Sequence, residues 1–249
     1  MSIGGRRLTT FSVIMATYNR AGFIRSALES VLLQQPCSPL EIIVVDDGSS
    51  DNTPEIVQSL AAQTVVPIRY VQQPQRGLPV AHNHGLHLAC GEVIAFLDSD
   101  DLWPPARLPG QFAHFEPQTS ARTTPAIVLG RVEQFAAPDA TVDPHAMKAF
   151  NDRPFHYALG SSLIQRSVFA AIGAFDETMR YTADWDWFMR AREAQIPMAT
   201  DPRVTLLARI HAGNMTQNRA VSNHFTIQMV KKHMARQQPD HPSAPQGAE

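Results

Sequence analysis

Two apolar segments of this chain run without a break into clustered acid. Glu92-Val93-Ile94-Ala95-Phe96-Leu97 leads into Asp98-Ser99-Asp100-Asp101, and Glu41-Ile42-Ile43-Val44-Val45 leads into Asp46-Asp47-Gly48-Ser49-Ser50-Asp51. Strands this apolar are buried on both faces, as in a parallel sheet flanked by helices. Ending them in like charges costs stability unless something neutralises the charge. A divalent cation with oxygen ligands, shared with a phosphate-bearing substrate, is the usual neutraliser. Carboxyl ends of strands are also where ligands sit in open α/β sheets. Asp98-Ser99-Asp100 therefore points to a metal–phosphate site. The plainer reading, a turn or helix-cap residue, suits Asp51, since a cap needs no clustered charge.

The pattern around these segments alternates. Phe11-Ser12-Val13-Ile14-Met15-Ala16-Thr17 reads as a buried strand. A helix follows over residues 21–34, with Phe23, Ile24, Ala27, Leu28, Val31 and Leu32 on one face. Pro54 opens a second helix behind a Thr53 cap. Ile68-Arg69-Tyr70-Val71 is a short strand, and residues 79–89 form a third helix before the acidic strand. Such alternation means βαβ units and a parallel sheet. Beyond Asp101 the pattern is mixed. A helix is expected over 106–115, a strand over 126–130, a loop-rich excursion over 138–154, a helix over 183–194, a strand over 204–209 and a final helix over 218–236. The Gln-, Pro-, Ala- and Ser-rich residues 237–249, and the polar residues 1–9, are expected to be disordered.

Composition excludes several classes. Lys and Arg total 21 against 23 Asp and Glu, which gives no basic surface for a nucleic-acid partner. Two cysteines, Cys37 and Cys90, make neither a disulfide framework nor a thiolate cluster, which suits a reducing cytoplasm. No apolar run approaches the ~20 residues that cross a bilayer. Residues 1–10 lack the apolar centre of a signal peptide, so the Asn214-Met215-Thr216 sequon is not expected to be used. Any membrane contact is expected to be peripheral, at the inner face. No Gly-x-Gly-x-x-Gly follows the first strand, which argues against a dinucleotide dehydrogenase. His82, His84 and His87 have no i, i+4 pair and no fourth ligand nearby, so they are not read as a zinc site.

Taken together, Ser12-Val13-Ile14-Met15-Ala16-Thr17-Tyr18-Asn19-Arg20, Val44-Val45-Asp46-Asp47-Gly48-Ser49-Ser50-Asp51 and Gly91 through Asp101 resemble family 2 glycosyltransferases in order and spacing. The resemblance continues through Gly160-Ser161-Ser162, Gly173-Ala174-Phe175-Asp176-Glu177, Ala183-Asp184-Trp185-Asp186 and Arg209-Ile210-His211-Ala212-Gly213-Asn214-Met215, covering residues 10–216. It implies the GT-A fold: a Rossmann-like, mostly parallel sheet flanked by helices, with a smaller mixed region on the acceptor side. One domain over 10–236 is expected, with 10–101 holding the nucleotide sugar and 102–236 the acceptor.

The resemblance also implies roles. The enzymes are inverting and move a sugar from a nucleoside-diphosphate donor, here of UDP-hexose type, to a hydroxyl of a glycan, lipid-linked or peptide acceptor. Asp100 is implied as a direct ligand of Mg²⁺ or Mn²⁺, with Asp98 and Ser99 beside it near ribose or metal. Thr17, Tyr18 and Asn19 are placed at the nucleotide, where Tyr18 can stack on the base and Asp47 can accept from a ring N–H. Arg76 is placed near ribose or phosphate. His211 is implied to complete the metal site or touch the diphosphate. Asp184 is implied as the general base, and Asp186 is a weaker rival on another helix face. Trp185 and Trp187 either line a pocket or belong to the core.

Two positions depart from the family pattern. Ala183 stands where a Glu commonly precedes the base, and His82 stands where an Arg is common in Ala81-His82-Asn83-His84-Gly85. These departures motivate a second reading, a nucleotide-sugar-binding protein without turnover. A third, an Asp-based phosphotransferase, fits less well. Its nucleophile strand would lie near the N-terminus, and a Thr or Val would follow the acidic pair in place of Asp101-Leu102.

Overall fold

The computed structural model describes residues 10–34, 41–115, 124–153, 157–214 and 219–237. The two ends expected to be disordered, 1–9 and 238–249, lie outside these residues, as does most of the sequon. Gln237, expected to begin the tail, instead ends the last helix. The first half alternates as expected: β1 (Phe11–Thr17), α1 (Ile24–Leu32), β2 (Glu41–Asp46), α2 (Thr53–Ala61), β3 (Ile68–Gln72), α3 (Leu78–Leu88) and β4 (Val93–Phe96). The second half adds α4 (Arg107–Ala113), β5 (Ile127–Ala136), α5 (Pro144–Asn151), β6 (Ser162–Gln165), α6 (Arg166–Ile172), α7 (Ala183–Glu193), β7 (Met198–Ile210) and α8 (Arg219–Gln237).

The strands form one sheet in the order β3-β2-β1-β4-β6-β5-β7. β1 pairs in parallel with β2 and β4, and β2 with β3. β6 runs antiparallel to both β4 and β5, while β5 and β7 are parallel. Among the described strands only β6 is therefore reversed, and the carboxyl ends of β1, β2, β4 and β7 all reach the same edge. That edge carries Thr17, Asp46, the acidic loop after Phe96 and His211.

Strand alternation divides the core between the two faces. Ile14, Ala16, Ile43 and Val45 pack beneath α3, α6 and α7, whereas Val13, Met15, Ile42 and Val44 pack beneath α1, α2 and α4. Full burial of each such aliphatic side chain stabilises by about 1.5–3 kcal/mol. On the first face α3 lies very close to β1. A Cβ added at Gly85 would sit 2.4 Å from Ile14 Cγ2, so glycine sets that approach.

Three expectations need correction. Asn52, not Thr53, precedes α2, and Thr53 is its first helical residue. The capping is done by Asp51, whose Oδ1 accepts from the Thr53 backbone N–H at 3.0 Å and from its hydroxyl, while Oδ2 accepts from Ala21 N–H at 3.0 Å. The excursion over 138–154 contains α5, which Asp143 caps by accepting from His145 N–H at 2.9 Å. The strands expected over 126–130 and 204–209 are parts of the longer β5 and β7. Pro202 interrupted the apolar pattern of β7, yet it is tolerated because β7 is the edge strand.

Candidate active site

The acidic loop after β4 is held in place by backbone pairing. Leu102 and Leu207 exchange two hydrogen bonds, of 3.0 and 2.9 Å, which ties the loop to β7. Its three aspartates then fall into three environments. Asp101 is buried, and its Oδ1 accepts from Arg209 N–H at 2.8 Å. Burial, and then the charges of Asp98 and Asp100, push its pKa well above the usual carboxylate range. Asp101 thus builds the loop.

Asp98 opens onto solvent but is crowded by protein around its carboxyl. Loss of water, together with the charges of Asp100 and Asp184, pushes its pKa up to about 7 against the pull of Arg20. Asp98, Asp100 and Asp184 therefore share one electrostatic neighbourhood. Asp100 Oδ2 accepts from Arg20 Nε–H at 3.0 Å and lies 3.1 Å from His211 Nε2. His211 is buried, stacks near Phe23 with ring centroids 4.6 Å apart, and accepts from Gly213 N–H at Nδ1. Because a backbone N–H can only donate, Nδ1 is the bare nitrogen and Nε2 carries the proton that points to Asp100.

The residues expected at the nucleotide surround this edge. Tyr18 is 40% exposed at its mouth. Asn19 adopts a left-handed φ of 51°, donates its N–H to Ser49 Oγ at 2.8 Å, and accepts from Ser50 N–H at 2.8 Å through its side chain. It thus joins the loop after β1 to the loop after β2. Thr17 and Ser99 are buried, and the Thr17 hydroxyl has no hydrogen-bond partner among the described residues. Asp47 accepts from Gln73 Nε2 at 2.9 Å, Arg76 N–H at 2.9 Å and Gly77 N–H at 2.8 Å. Both its oxygens therefore shape the turn into α3, where Gly77 takes φ 102°. The Arg76 side chain is exposed, 3.8 Å from Glu177.

On the other side, α7 brings Asp184 to the same edge in its first turn. Asp184 is half-buried, and desolvation pushes its pKa up to about 6 although backbone N–H groups at the helix start favour its charged form. Asp186, its sequence rival, is buried in ion pairs with Arg190 and Arg236, each at 3.0 Å, and serves the α7–α8 contact. The tryptophans separate cleanly. Trp187 is a core residue stacked on Phe169 at 4.7 Å, whereas Trp185 is 54% exposed beside a small hollow that includes Tyr157, Phe188, Met189 and Arg192.

His82 is not a phosphate contact. It is buried against Phe96 and Phe175, with ring centroids 5.1 and 5.6 Å away, and burial lowers its pKa to about 4. It stays neutral near neutral pH.

Sequence reasoning gave no role to two residues that organise the site. Arg20 reaches Asp100, Tyr18 O, Asn19 O and Gly213 O. Gln73 holds Asp47 and lies 2.9 Å from His84. The signal for Arg20 was its place directly after Tyr18-Asn19, at the end of a strand that ends at the acidic edge. Among the described residues no cluster of three His, Cys, Asp or Glu forms a ready-made metal cage. A hard divalent cation nevertheless fits the donors here. Two neighbouring carboxylates supply hard oxygen ligands, and desolvation, followed by the charges of Asp100 and Asp184, raises the pKa of Asp98.

The family model described as Glycosyl transferase family 2 matches residues 12–173. An uncharacterized glycosyltransferase of Nostoc sp. is 43% identical over 97 residues, covering 39% of this chain and 30% of that protein. One of Rickettsia typhi is 29% identical over 214 residues, covering 82% of this chain and 65% of that protein. The chain thus spans between 30% and 65% of the length of these two relatives. Among solved structures, a mannosyltransferase from Pyrobaculum calidifontis in complex with GDP-Man and Mn²⁺ superposes with a TM-score of 0.68 at 22% identity, covering 94% of this chain and 66% of that one. S. aureus TarS in complex with UDP-GlcNAc superposes with a TM-score of 0.64 at 21% identity, covering 91% and 72%.

Proposed function

Because this chain belongs to glycosyl transferase family 2, we propose that it moves a hexose-type sugar from a nucleoside-diphosphate donor, UDP-linked by preference, to an acceptor hydroxyl with inversion. One observation carries this reading. The charges of Asp100 and Asp184, brought from two elements far apart in sequence, both reach Asp98. Such a cluster suits a reaction with a charged leaving group on one side and a base on the other.

Asp100, with Asp98 beside it, would hold Mg²⁺ or Mn²⁺. A bound metal stabilises the charge developing on a departing diphosphate without proton transfer. The structural neighbours with GDP-Man and Mn²⁺ or with UDP-GlcNAc support a metal–nucleotide pairing. The chain's own groups do the rest. Tyr18 offers its exposed ring to the base. Asn19 and Asp47 fix the loops that border the base, and Asp47 Oδ2, which accepts from Gly77 N–H, can also accept from a ring N–H of the base. Arg76 offers an exposed cation beside the turn into α3. Asp184 accepts the proton of the acceptor hydroxyl at its carboxylate, on the side opposite the leaving group. His211 steers Asp100 through Nε2–H, and a direct bond from Nε2 to the metal would require the proton to move to Nδ1. Residues 10–236 act as one catalytic unit, and the acceptor is a glycan, lipid-linked or peptide hydroxyl. No described helix is long and apolar enough to cross a membrane.

Replacement of Asp184 tests the assignment. Asp184→Asn should lower donor turnover, with water or added acceptors, by about 10²–10⁴-fold. Diphosphate affinity should stay within about twofold, since the base does not hold the donor. Turnover near wild type would remove Asp184 from the mechanism.

A further inference from the structure

Asp100 is already engaged before any metal arrives, and its principal partner is a permanent cation. The Arg20 guanidinium reaches its Oδ2 through Nε–H at 3.0 Å, with both side chains mostly buried, 20% and 16% exposed. The same guanidinium donates to Tyr18 O at 3.4 Å, Asn19 O at 3.2 Å and Gly213 O at 3.2 Å. One side chain therefore ties together the loop after β1, the acidic tip of β4 and the loop after β7. It cannot swing away without giving up several hydrogen bonds at once. His211 points Nε2 at the same oxygen from 3.1 Å, while its Nδ1 accepts from Gly213 N–H.

We propose that Arg20 is the resident counter-cation of Asp100 and makes metal binding conditional on the nucleotide diphosphate. This rests on the metal-dependent reading above. A divalent cation brought to Asp100 alone meets a fixed positive charge nearby, in a setting less screened than bulk water. A diphosphate brings enough negative charge to offset both cations, so the two ligands bind better together than apart. By linkage the coupling is reciprocal: the diphosphate tightens the metal, and the metal tightens the diphosphate by the same factor. The mainly buried setting and the four acceptors of the guanidinium distinguish this arrangement from a surface ion pair, which would have little effect.

The test is Mn²⁺ binding, read from the electron paramagnetic resonance signal of the free aquo ion. Wild type and Arg20→Gln are compared alone, with UDP and with GDP. Wild type is expected to bind Mn²⁺ weakly alone and more tightly with one diphosphate. Arg20→Gln is expected to bind Mn²⁺ alone about tenfold more tightly than wild type, with a smaller gain from nucleotide. Arg20→Lys, which keeps the charge, should keep the wild-type dependence on nucleotide. Unchanged or weaker Mn²⁺ affinity in folded Arg20→Gln overturns the proposal. So does equal Mn²⁺ affinity of wild type with and without its diphosphate, whatever the variant does. Wild type that binds no Mn²⁺ under any condition overturns both this proposal and the metal-dependent reading.

Discussion

The pKa of about 6 at Asp184 sets a working window for a general base. A base must be deprotonated to accept a proton, so turnover at saturating donor and metal should rise with pH, reach half its plateau near pH 6, and stay flat above about pH 7. A flat profile between pH 5 and 8 would contradict that role. The residue scale is also where the sequence was least informative. It marked Asp98 and Asp100 as special, because clustered charge at a strand tip is a readable pattern, whereas Asp184 stood out only through the family resemblance. It did not separate Asp101, which builds the loop, from its neighbours. It showed His82 only as a departure from the family's Arg, whereas the fold encloses it between Phe96 and Phe175. Burial of a polar residue depends on what crosses it in space, and no local pattern carries that information.

Among the elements, the first half was legible because strands buried on both faces read as continuous apolar runs between amphipathic helices. The second half was legible only in part: α4, α7 and α8 fall where helices were expected, whereas α5, β6 and α6 were not marked. β6 has four residues and pairs with strands distant in sequence, and β7 carries Pro202 within it. A buried cation takes the place of an apolar signal there. Arg107 donates to Gly160 O at 2.6 Å, Thr205 O at 2.9 Å and Ser162 O at 3.2 Å, to Gln111 Oε1 at 2.9 Å, and lies 4.1 Å over the Trp103 ring. Burial lowers its pKa to about 9, so it remains charged at neutral pH. This side chain joins α4 to β6, β7 and the turn before β6. Arg107→Ala should cost about 3 kcal/mol by leaving buried carbonyls without a donor. At this size that is about 6–12 °C in Tm, measured by thermal unfolding. A change below about 2 °C would mean that the carbonyls find other partners.

At the scale of the whole molecule, one reversed strand decides where the site can be. Because β6 alone runs backwards, β7 returns parallel to β1, β2 and β4, and its carboxyl end delivers His211 to Asp100. Four strand ends and the first turn of α7 thus converge on one edge, with positions from 17 to 211 in one site. The sequence announced the ingredients of that edge, and only the topology assembles them. The central claim is that this edge binds a nucleoside diphosphate together with a divalent cation through Asp100. Calorimetric titration of wild type and Asp100→Ala with UDP, GDP and TDP, each with and without Mn²⁺, tests it most directly. The account predicts Mn²⁺-dependent binding of one diphosphate by wild type, weakened at least tenfold in the variant. No binding of any diphosphate by folded wild type, or equal binding by Asp100→Ala, would contradict it and return the acidic strand ends to a structural role.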